Sequence, residues 1–360
     1  MTNFVARAKP EALGIQQTAP PERNQTLLRV DGLTTTVSID GEALNAVDDV
    51  SFELRQGEVL GLVGESAAGK SMTAMSIIRL VRPPARITAG QVFFNGVDLL
   101  AASERQMEQI RGKDIAIITQ DPMTALNPVK TIGNQIERVI RLHTGADKGE
   151  TTRRAVEMMD RVGIPSPGER LKHYPHQFSG GMLQRIAIAM ALSCNPKLLI
   201  ADEPTTALDV TIQAQILELL HSLREEFGMA VLMITHNLGV VAEFCDRVAV
   251  MYAGKIVEDR VTTAIVREPL HPYSEGLLGV TPSLDQELER LPTIKGRMPS
   301  LQSLPSGCRF HPRCPHCFEP CPIEIPALLD HLAGGRVACH LYDLRWARLG
   351  TSGATEARET

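Results

Sequence analysis

Runs of consecutive apolar residues alternate along this chain with longer helical patterns, and this alternation predicts the architecture. A strand buried on both faces is apolar along its whole length. Four runs of this kind lie at residues 59–63, 115–118, 197–202 and 230–234. Helical patterns occupy about 72–80, much of 122–190 and about 212–227. Apolar strands that alternate with helices predict a parallel α/β sheet.

Further segments predict strands outside this alternation. Residues 27–30, 33–39 and 50–54 precede the first buried run, and residues 92–94 lead into an Asn-Gly turn. Residues 248–252 and 255–258 flank an Ala-Gly turn and predict a hairpin. After about residue 265 the pattern changes, because proline becomes frequent and five of the seven cysteines fall between 308 and 339.

Composition narrows the classes of function. The 360 residues allow two or three domains. The net charge of −5 does not indicate the basic surface that is typical of nucleic-acid-binding proteins. No run of 18 apolar residues occurs, and Met1 to Asn24 lack the apolar centre of a signal peptide. A cytoplasmic protein is therefore expected, in which the cysteines do not form structural disulfides.

The first motif with chemical meaning is a phosphate-binding loop, Gly64-Glu65-Ser66-Ala67-Ala68-Gly69-Lys70-Ser71. It follows a predicted strand and precedes a predicted helix, as the P-loop motif requires. Small residues let the backbone turn tightly, so that its N–H groups point at phosphate oxygens. Lys70 is then placed to reach the β- and γ-phosphates, and the Ser71 hydroxyl to bind Mg²⁺.

Two carboxylates end the apolar run at 198–202. Asp202 is predicted to hold Mg²⁺ through water, and Glu203 to orient and activate the attacking water. The plainer alternative is an exposed acidic pair at a strand end. The P-loop earlier in the chain favours the catalytic interpretation.

A third motif, Phe178-Ser179-Gly180-Gly181-Met182-Leu183-Gln184-Arg185, resembles the signature sequence of ABC ATPases. Alone, Ser-Gly-Gly is more often a loop. Here it lies between the P-loop and the strand that ends in Asp202, which matches the Walker B motif of P-loop ATPases. The resemblance implies that Ser179, Gly180 and Gly181 bind the γ-phosphate held by a partner subunit. A serine hydroxyl and free N–H groups at a helix N-terminus suit that task.

The same resemblance assigns three further site residues. Gln120 stands where the Q-loop glutamine is expected, which senses Mg²⁺ and the attacking water. Asp209 belongs to a stretch similar to the D-loop, Thr206-Ala207-Leu208-Asp209. His236 follows a strand, like the switch histidine that hydrogen-bonds the γ-phosphate, although a lone histidine is usually structural.

Longer stretches resemble one subfamily, the dipeptide and oligopeptide importers, which also includes nickel and glutathione importers. They are Thr119–Pro128, Tyr174–Met182 and His271-Pro272-Tyr273. The implied fold is an α/β P-loop NTPase: an ABC cassette with a RecA-like core and antiparallel β and helical subdomains, plus a small Cys-rich C-terminal domain. The expected divisions are a flexible lead (1–25), the cassette (26–265, helical subdomain about 121–190), the extension (266–345) and a disordered tail (346–360).

The chain departs from the family at several positions. Val37 aligns with the aromatic residue on which adenine usually stacks, so base recognition is expected to be weak. Ala67 and Ala68 replace Gly-Ser, and a Cβ at 67 restricts positive φ. Asn237 stands where the subfamily usually has Asp.

The cysteine cluster predicts a metal site, because cysteines this dense in a cytoplasmic protein usually bind metal. Cys314-x₂-Cys317-x₃-Cys321-Pro322 fits ferredoxin spacing only in part. The resemblance implies a four-iron–four-sulfur cluster on Cys308, Cys314, Cys321 and Cys339, with Cys317 as an extra cysteine. A Zn²⁺ site and unligated thiols are the alternatives.

These motifs predict an ATP- and Mg²⁺-dependent ATPase that energises an ABC importer of di- or oligopeptides at the cytoplasmic side of the membrane. The expected partners are two permease subunits and a second ATPase, with a heterodimer favoured over a homodimer. A solute-binding protein outside the cytoplasm would act indirectly, and no nucleic acid is expected. The alternatives are import of nickel, glutathione or another small solute, a soluble ABC ATPase acting on DNA or ribosomes, and an iron–sulfur redox sensor with a vestigial ATPase.

Overall fold

The computed structural model describes residues 25–206, 208–279 and 294–346. The predicted lead and tail lie outside the described residues, apart from Gln25 and Trp346. The strands, in chain order, are β1 (Thr26–Ile39), β2 (Glu42–Arg55), β3 (Val59–Val63), β4 (Ala85–Phe94), β5 (Val97–Asp98), β6 (Ile115–Ile118), β7 (Leu198–Asp202), β8 (Ala230–Thr235), β9 (Arg247–Tyr252), β10 (Lys255–Val261), β11 (Leu329–Asp330) and β12 (Arg336–Val337).

Helices connect most of these strands. In chain order they are α1 (Lys70–Ile77), α2 (Glu104–Ile110), α3 (Pro122–Ala125), α4 (Ile132–Thr144), α5 (Lys148–Arg161), α6 (Pro167–Arg170), α7 (Gly180–Leu192), α8 (Val210–Phe227), α9 (Leu238–Phe244), α10 (Thr262–Arg267) and α11 (Pro272–Gly279). The helix after the P-loop begins at Lys70 rather than at residue 72, because the loop itself turns into the helix.

The central sheet confirms the predicted α/β architecture. Its strand order is β11-β12-β10-β9-β3-β8-β7-β6. Strands β6, β7, β8, β3 and β9 run parallel, whereas β10, β11 and β12 are paired antiparallel. The four predicted buried runs form β3, β6, β7 and β8, and the predicted hairpin forms β9 and β10.

A second, antiparallel sheet has the order β2-β1-β4-β5. The pattern predicted separate short strands at 27–30 and 33–39, which was wrong, because β1 is continuous through several register shifts. The register shifts interrupt the regular alternation of buried and exposed positions. This interruption resembles a gap between two strands in the sequence pattern. Strands β2 and β4 likewise extend well beyond the predicted 50–54 and 92–94.

Strand β3 separates the two cores of the molecule. Leu60 and Leu62 pack with the antiparallel sheet and α1, whereas Val59 and Val63 pack with the helices on the opposite face. Successive side chains of a strand point to opposite faces, so a strand covered on both sides must be apolar throughout. This packing holds the start and the end of the P-loop on a rigid base.

The residues after α11 add to the central sheet. Val337 of β12 pairs with Glu258 of β10 on one side and with Leu329 of β11 on the other. The sequence did not predict these strands, because two residues are too few to show alternation. The C-terminal residues therefore extend the central sheet beyond β10.

Candidate nucleotide-binding site

The P-loop connects β3 to α1 in a conformation that two glycines make possible. A Cβ at Gly64 would lie 2.2 Å from the Met251 carbonyl oxygen, so no side chain fits there. Gly69 has a φ of 104°, and a Cβ would lie 2.6 Å from the Ala46 carbonyl oxygen. The loop thus passes directly against β9 and β2, which sets its path.

Ala67 adopts the conformation that its Cβ disfavours. Its φ is 66°, in the left-handed region, and the neighbouring Ala68 is fully buried. A non-glycine residue held in this region costs on the order of 1 kcal/mol. The departure from the family's Gly-Ser is therefore accommodated as backbone strain at Ala67.

Lys70 is the first residue of α1 and lies folded against its own loop. Its Nζ donates to the carbonyl oxygens of Gly64 at 2.8 Å and Glu65 at 3.0 Å. Burial lowers the pKa of Lys70, although three nearby carboxylates act in the opposite direction. The ammonium is thus fixed at the loop centre, where phosphate oxygens are expected.

Ser71 and Asp202 lie next to each other. The Ser71 hydroxyl donates to Asp202 Oδ1 at 2.9 Å, although 131 positions separate the two residues. The pKa of Asp202 is raised overall. Burial and the nearby Glu203 charge raise it, and the hydrogen bond from Ser71 acts in the opposite direction. A hydroxyl and a carboxylate oxygen at this distance are ligands that Mg²⁺ prefers.

Glu203 is the centre of a hydrogen-bonded cluster at the carboxyl ends of three parallel strands. Gln120 Nε2 donates to Glu203 Oε2 at 3.1 Å, and His236 Nδ1 lies 3.2 Å from Oε1. Gln120 comes two residues after β6, Glu203 directly after β7 and His236 directly after β8. Parallel strands end at the same edge of a sheet, which brings together three residues far apart in sequence.

Thr206 is a partner of Glu203 that the sequence analysis did not assign. Its hydroxyl donates to Glu203 Oε2 at 2.8 Å. The signal was available, since a Thr or Ser hydroxyl three residues after an acidic residue often reaches back across a turn. With Gln120 it occupies one carboxylate oxygen and leaves the other to His236.

The charge state of Glu203 follows from these contacts. Burial by itself would raise the pKa of Glu203, but hydrogen bonds from Thr206 and His236 outweigh it. The net result is a lowered pKa, so the group is a carboxylate at neutral pH. The contact with His236 requires a proton on Nδ1, because a carboxylate only accepts hydrogen bonds.

The signature and D-loop residues lie at helix N-termini. Ser179 is exposed and caps α7, its Oγ accepting from the Met182 N–H at 3.4 Å. Asp209 is also exposed and caps α8, accepting from the Ile212 N–H at 2.9 Å. Within the described ranges, no hydrogen bond or ion pair joins residues 179–181 or Asp209 to the P-loop or to Glu203. Ala207 lies outside the described residues.

Two of the departures from the family have defined places. Val37 is half-buried in β1, opposite Leu44 of β2 and Ala85 of β4. Its effect on adenine recognition stays a prediction. Asn237 caps α9, its Oδ1 accepting from the Gly239 N–H at 2.9 Å. Asn and Asp are equally good at such a cap, so the exchange leaves the helix start unchanged.

The predicted metal site is not found as a site for a single ion. Among the residues that the structure describes, no group of three or more His, Cys, Asp or Glu side chains is arranged to hold a metal ion. Burial raises the pKa of Cys308 to about 11 and those of Cys314 and Cys339 to about 12. The described residues thus give no support to the predicted four-iron–four-sulfur cluster or to the Zn²⁺ alternative.

No helix in the described part of the chain combines the length and the apolar character needed to cross a membrane.

Two family models match the chain. The model described as ABC transporter covers residues 47–206, and the model described as oligopeptide/dipeptide transporter, C-terminal region, covers residues 257–321. The first includes the P-loop, Gln120, the signature motif and Glu203. The second includes α11 and four of the clustered cysteines.

Curated relatives match over nearly the whole chain. The oligopeptide transport ATP-binding protein AppD of Bacillus subtilis is 49% identical over 319 residues, 88% of this chain and 97% of that protein. The oligopeptide transport ATP-binding protein OppD of Salmonella typhimurium is 49% identical over 89% of this chain and 96% of its own length. The dipeptide transport ATP-binding protein DppD of Escherichia coli is 48% identical, with 87% and 96% covered.

Solved structures of ABC cassettes share the fold. A dimeric bacterial ABC transporter cassette matches with a TM-score of 0.59 and 29% identity, over 66% of this chain and 99% of that one. A dimeric cassette bound to ADP and phosphate matches equally well, at 28% identity. With about half of its residues identical to these relatives across most of its length, the chain belongs to the ATP-binding proteins of the oligopeptide and dipeptide ABC transporter family.

Proposed function

We propose that this chain is the ATP-hydrolysing subunit that drives import of di- or oligopeptides through an ABC transporter at the cytoplasmic face of the membrane. The observation that carries the proposal is one connected cluster. Lys70, Ser71 and Asp202 lie on one side of it, and Glu203 with Gln120 and His236 on the other. The names of the relatives support the class of cargo.

The residues of the cluster divide the chemistry among them. The P-loop N–H groups and Lys70 bind and orient the phosphates, while Ser71, Asp202 and Gln120 would hold Mg²⁺. That ion supplies charge neutralisation on the phosphate oxygens. Glu203, kept ionised by its hydrogen bonds, orients the attacking water and accepts its proton. His236 both holds Glu203 and faces outward, where it can contact the γ-phosphate.

A second ATPase subunit is part of the proposal. Ser179, Gly180 and Gly181 begin a 13-residue helix whose exposed N-terminus suits a phosphate held by a partner. The dimeric cassettes of the same fold support this arrangement. We favour a heterodimer with a related ATPase over a homodimer, associated with two permease subunits and served indirectly by an extracytoplasmic solute-binding protein. No nucleic acid takes part.

The proposed organisation of the chain follows the same lines. Residues 26–265 form the cassette, with a helical subdomain at about 121–190, and residues 266–345 form the extension. The lead (1–25) and the tail (346–360) are not assigned to the cassette or to the extension.

Hydrolysis is tested with Glu203→Gln in the full-length chain. We expect ATPase activity to fall at least about 100-fold, with ATP still bound and an ATP-dependent dimer accumulating. Lys70→Ala should instead lose ATP affinity. Glu243→Gln, which changes an exposed glutamate on α9, is the matched control and should hydrolyse ATP normally. Normal hydrolysis by Glu203→Gln would remove that residue from the mechanism.

The cargo is tested in cells whose own gene for this chain is deleted. We expect uptake of labelled di- and tripeptides to stop and to return with the wild-type chain but not with Glu203→Gln. If peptide uptake is unchanged and uptake of nickel or glutathione is lost, the transporter imports that solute and not peptides. Association with nucleic acid and no effect on any uptake would overturn the transport proposal.

We also propose that Cys308, Cys314, Cys321 and Cys339 hold a four-iron–four-sulfur cluster. The support is proximity, since the other three thiols each act to raise the pKa of Cys339. The ligands of a cluster stand farther apart than those of a single ion, so the lack of a single-ion site in the described residues does not conflict with it. Thiols with pKa values of about 11 to 12 ionise at neutral pH only beside strong positive charge, which such a cluster provides.

Anaerobic purification decides between the three alternatives. We expect about four iron and four acid-labile sulfide per chain, lost in Cys314→Ser and kept in Cys317→Ser. Zinc without iron, or no metal at all, would refute the cluster.

A further inference from the structure

The C-terminal residues reach back to the P-loop and hold one of its residues from two directions. The backbone N–H of Glu65 donates to the Tyr273 hydroxyl at 2.8 Å. The Glu65 carboxylate receives Arg313 Nη1 at 3.0 and 3.3 Å. Both partners come from the chain after residue 265, more than 200 positions away.

Arg313 is a fixed support and not a surface arm. Its side chain is only 6% exposed, and its Nε donates to the Lys295 carbonyl at 2.9 Å. The guanidinium also lies over the rings of Tyr252 and Phe310, at 5.8 and 5.9 Å from their centres. A guanidinium held on this many sides has little rotamer freedom left, so its contact with Glu65 is pre-set.

Tyr273 is equally immobile. It is fully buried in α11, and its ring meets those of Tyr252 at 4.7 Å and Phe310 at 5.4 Å. Tyr252 ends β9, which pairs with β3, the strand that leads into the P-loop. The Tyr273 hydroxyl is therefore placed by the same sheet that places the loop.

Glu65 links these supports to the lysine of the nucleotide site. Lys70 Nζ donates to the carbonyls of Gly64 and Glu65, the two residues whose shared peptide carries the N–H held by Tyr273. A shift of that peptide would move the anchor of Lys70. Binding groups held in place before the ligand arrives lose less entropy when it binds.

We propose that Tyr273 and Arg313 are positioning residues of the nucleotide site, which fix Glu65 and, through its carbonyl, Lys70. The extension is then part of the ATP-binding apparatus as well as a covering of the sheet edge. The proposal rests on the proposed role of the P-loop in binding ATP, which Lys70→Ala tests separately.

Tyr273→Phe tests the hydroxyl alone, since the ring and its packing remain. We expect the affinity of the full-length chain for MgATP, measured by calorimetry, to fall about 3- to 10-fold. The thermal midpoint without nucleotide should stay close to that of the wild type. Tyr342→Phe is the matched control, because it removes a hydroxyl from the same extension at a half-exposed tyrosine that packs on His331.

Arg313 is tested by a cycle with Glu65. Arg313→Gln and Glu65→Gln should each weaken MgATP binding several-fold, and the double variant should be no weaker than the poorer single one. Arg313→Lys should recover part of the affinity, because it keeps the charge and loses the fork. Arg345→Gln, at an exposed arginine that pairs with Asp343, is the control and should bind normally.

The outcomes separate the two levels of the argument. If Lys70→Ala abolishes binding while Tyr273→Phe and Arg313→Gln bind MgATP like their controls, the positioning role is wrong and the P-loop site stands. If Lys70→Ala itself binds normally, the P-loop role fails first. If Tyr273→Phe and Arg313→Gln lower the thermal midpoint as well as the affinity for MgATP, and Arg313→Lys recovers neither, the two residues have a merely structural role. That outcome would also refute the proposal.

Discussion

Glu203 occupies a backbone conformation that few residues with a side chain adopt. Its φ is 48°, and its N–H donates to the Ile234 carbonyl at 2.9 Å, so the chain leaves β7 while still paired with β8. Such a conformation costs about 1–3 kcal/mol and persists only where the surroundings over-determine it. Here it turns the carboxylate toward Gln120 and His236, so the strained backbone orients the group that we propose to be catalytic.

His271 is a second residue whose surroundings fix its chemistry. It is completely buried, its Nδ1 accepts the Tyr273 N–H at 3.0 Å, and burial lowers its pKa from 6.5 to about 3. Between these two pH values the unfolded chain binds a proton that the folded chain does not. Stability is therefore lost as the pH falls below 6.5.

We expect this single group to remove about 2 kcal/mol of unfolding free energy between pH 7 and pH 5. His271→Asn keeps an acceptor near the Nδ1 position and cannot titrate, so its stability should change less over that range. The measurement is denaturant unfolding at both pH values, with His176→Asn, at an exposed histidine, as the control. Parallel pH profiles for wild type and His271→Asn would show that His271 is not the responsible group.

At the scale of elements, α7 combines a buried helix body with an exposed N-terminus that we propose to bind phosphate. Its N-cap Ser179 satisfies the Met182 N–H, while the helix body buries Leu183, Ile186 and Leu192. The hydrophobic face orients the helix, and the orientation exposes Ser179. The signature motif is thus presented by helix packing and not by a flexible loop.

Two variants separate these roles. Ser179→Ala should lower the free energy of unfolding by about 1 kcal/mol, because the cap is lost. Ser179→Asp keeps a good cap, but its charge would face the phosphate of the proposed partner subunit, so stability should hold while ATPase activity of the assembled transporter falls at least about tenfold. Asp147→Ala, at the exposed cap of α5, should cost similar stability without loss of activity. Full activity in Ser179→Asp would contradict a role in phosphate binding.

At the scale of the whole molecule, a buried ion pair within β10, between Glu258 and Arg260, holds the extension against the cassette through hydrogen bonds. Glu258 of β10 is fully buried and accepts the N–H groups of Leu270 and His271, each at 3.0 Å. Arg260, on the same strand, donates to the carbonyls of Glu268 and Gly334. Two charged residues of β10 thereby hold residues 268–271, which lead to Tyr273, and Arg260 also holds Gly334.

We expect Glu258→Ala to destabilise the chain by at least about 3 kcal/mol, since it leaves Arg260 and two N–H groups without their buried acceptor. Limited proteolysis should then cut after residue 265 much faster than in the wild type. Glu275→Ala, at an exposed glutamate of α11, should change stability by less than about 0.5 kcal/mol. Equal effects of the two variants would mean that Glu258 does not dock the extension.

The sequence by itself predicted the candidate site residues and the central sheet. Strands β3, β6, β7 and β8 are covered on both faces. Each is therefore a run of apolar residues that can be recognised in the sequence without knowledge of the neighbouring strands. The P-loop, Asp202 and Glu203 were equally legible, since their chemistry demands fixed residue types at fixed spacing next to such strands.

Tertiary structure alone decided how these residues meet. The burial of Glu258 and Arg260, and the addition of the short strands β11 and β12 to the central sheet, depend on contacts between distant segments, which leave no periodic trace in the sequence. The hold of Tyr273 and Arg313 on Glu65 is the clearest case. Glu65 lies in the P-loop motif, but no local pattern marks Tyr273 and Arg313 as its partners. The three become one support for the P-loop because the central sheet and the aromatic cluster on it bring them together.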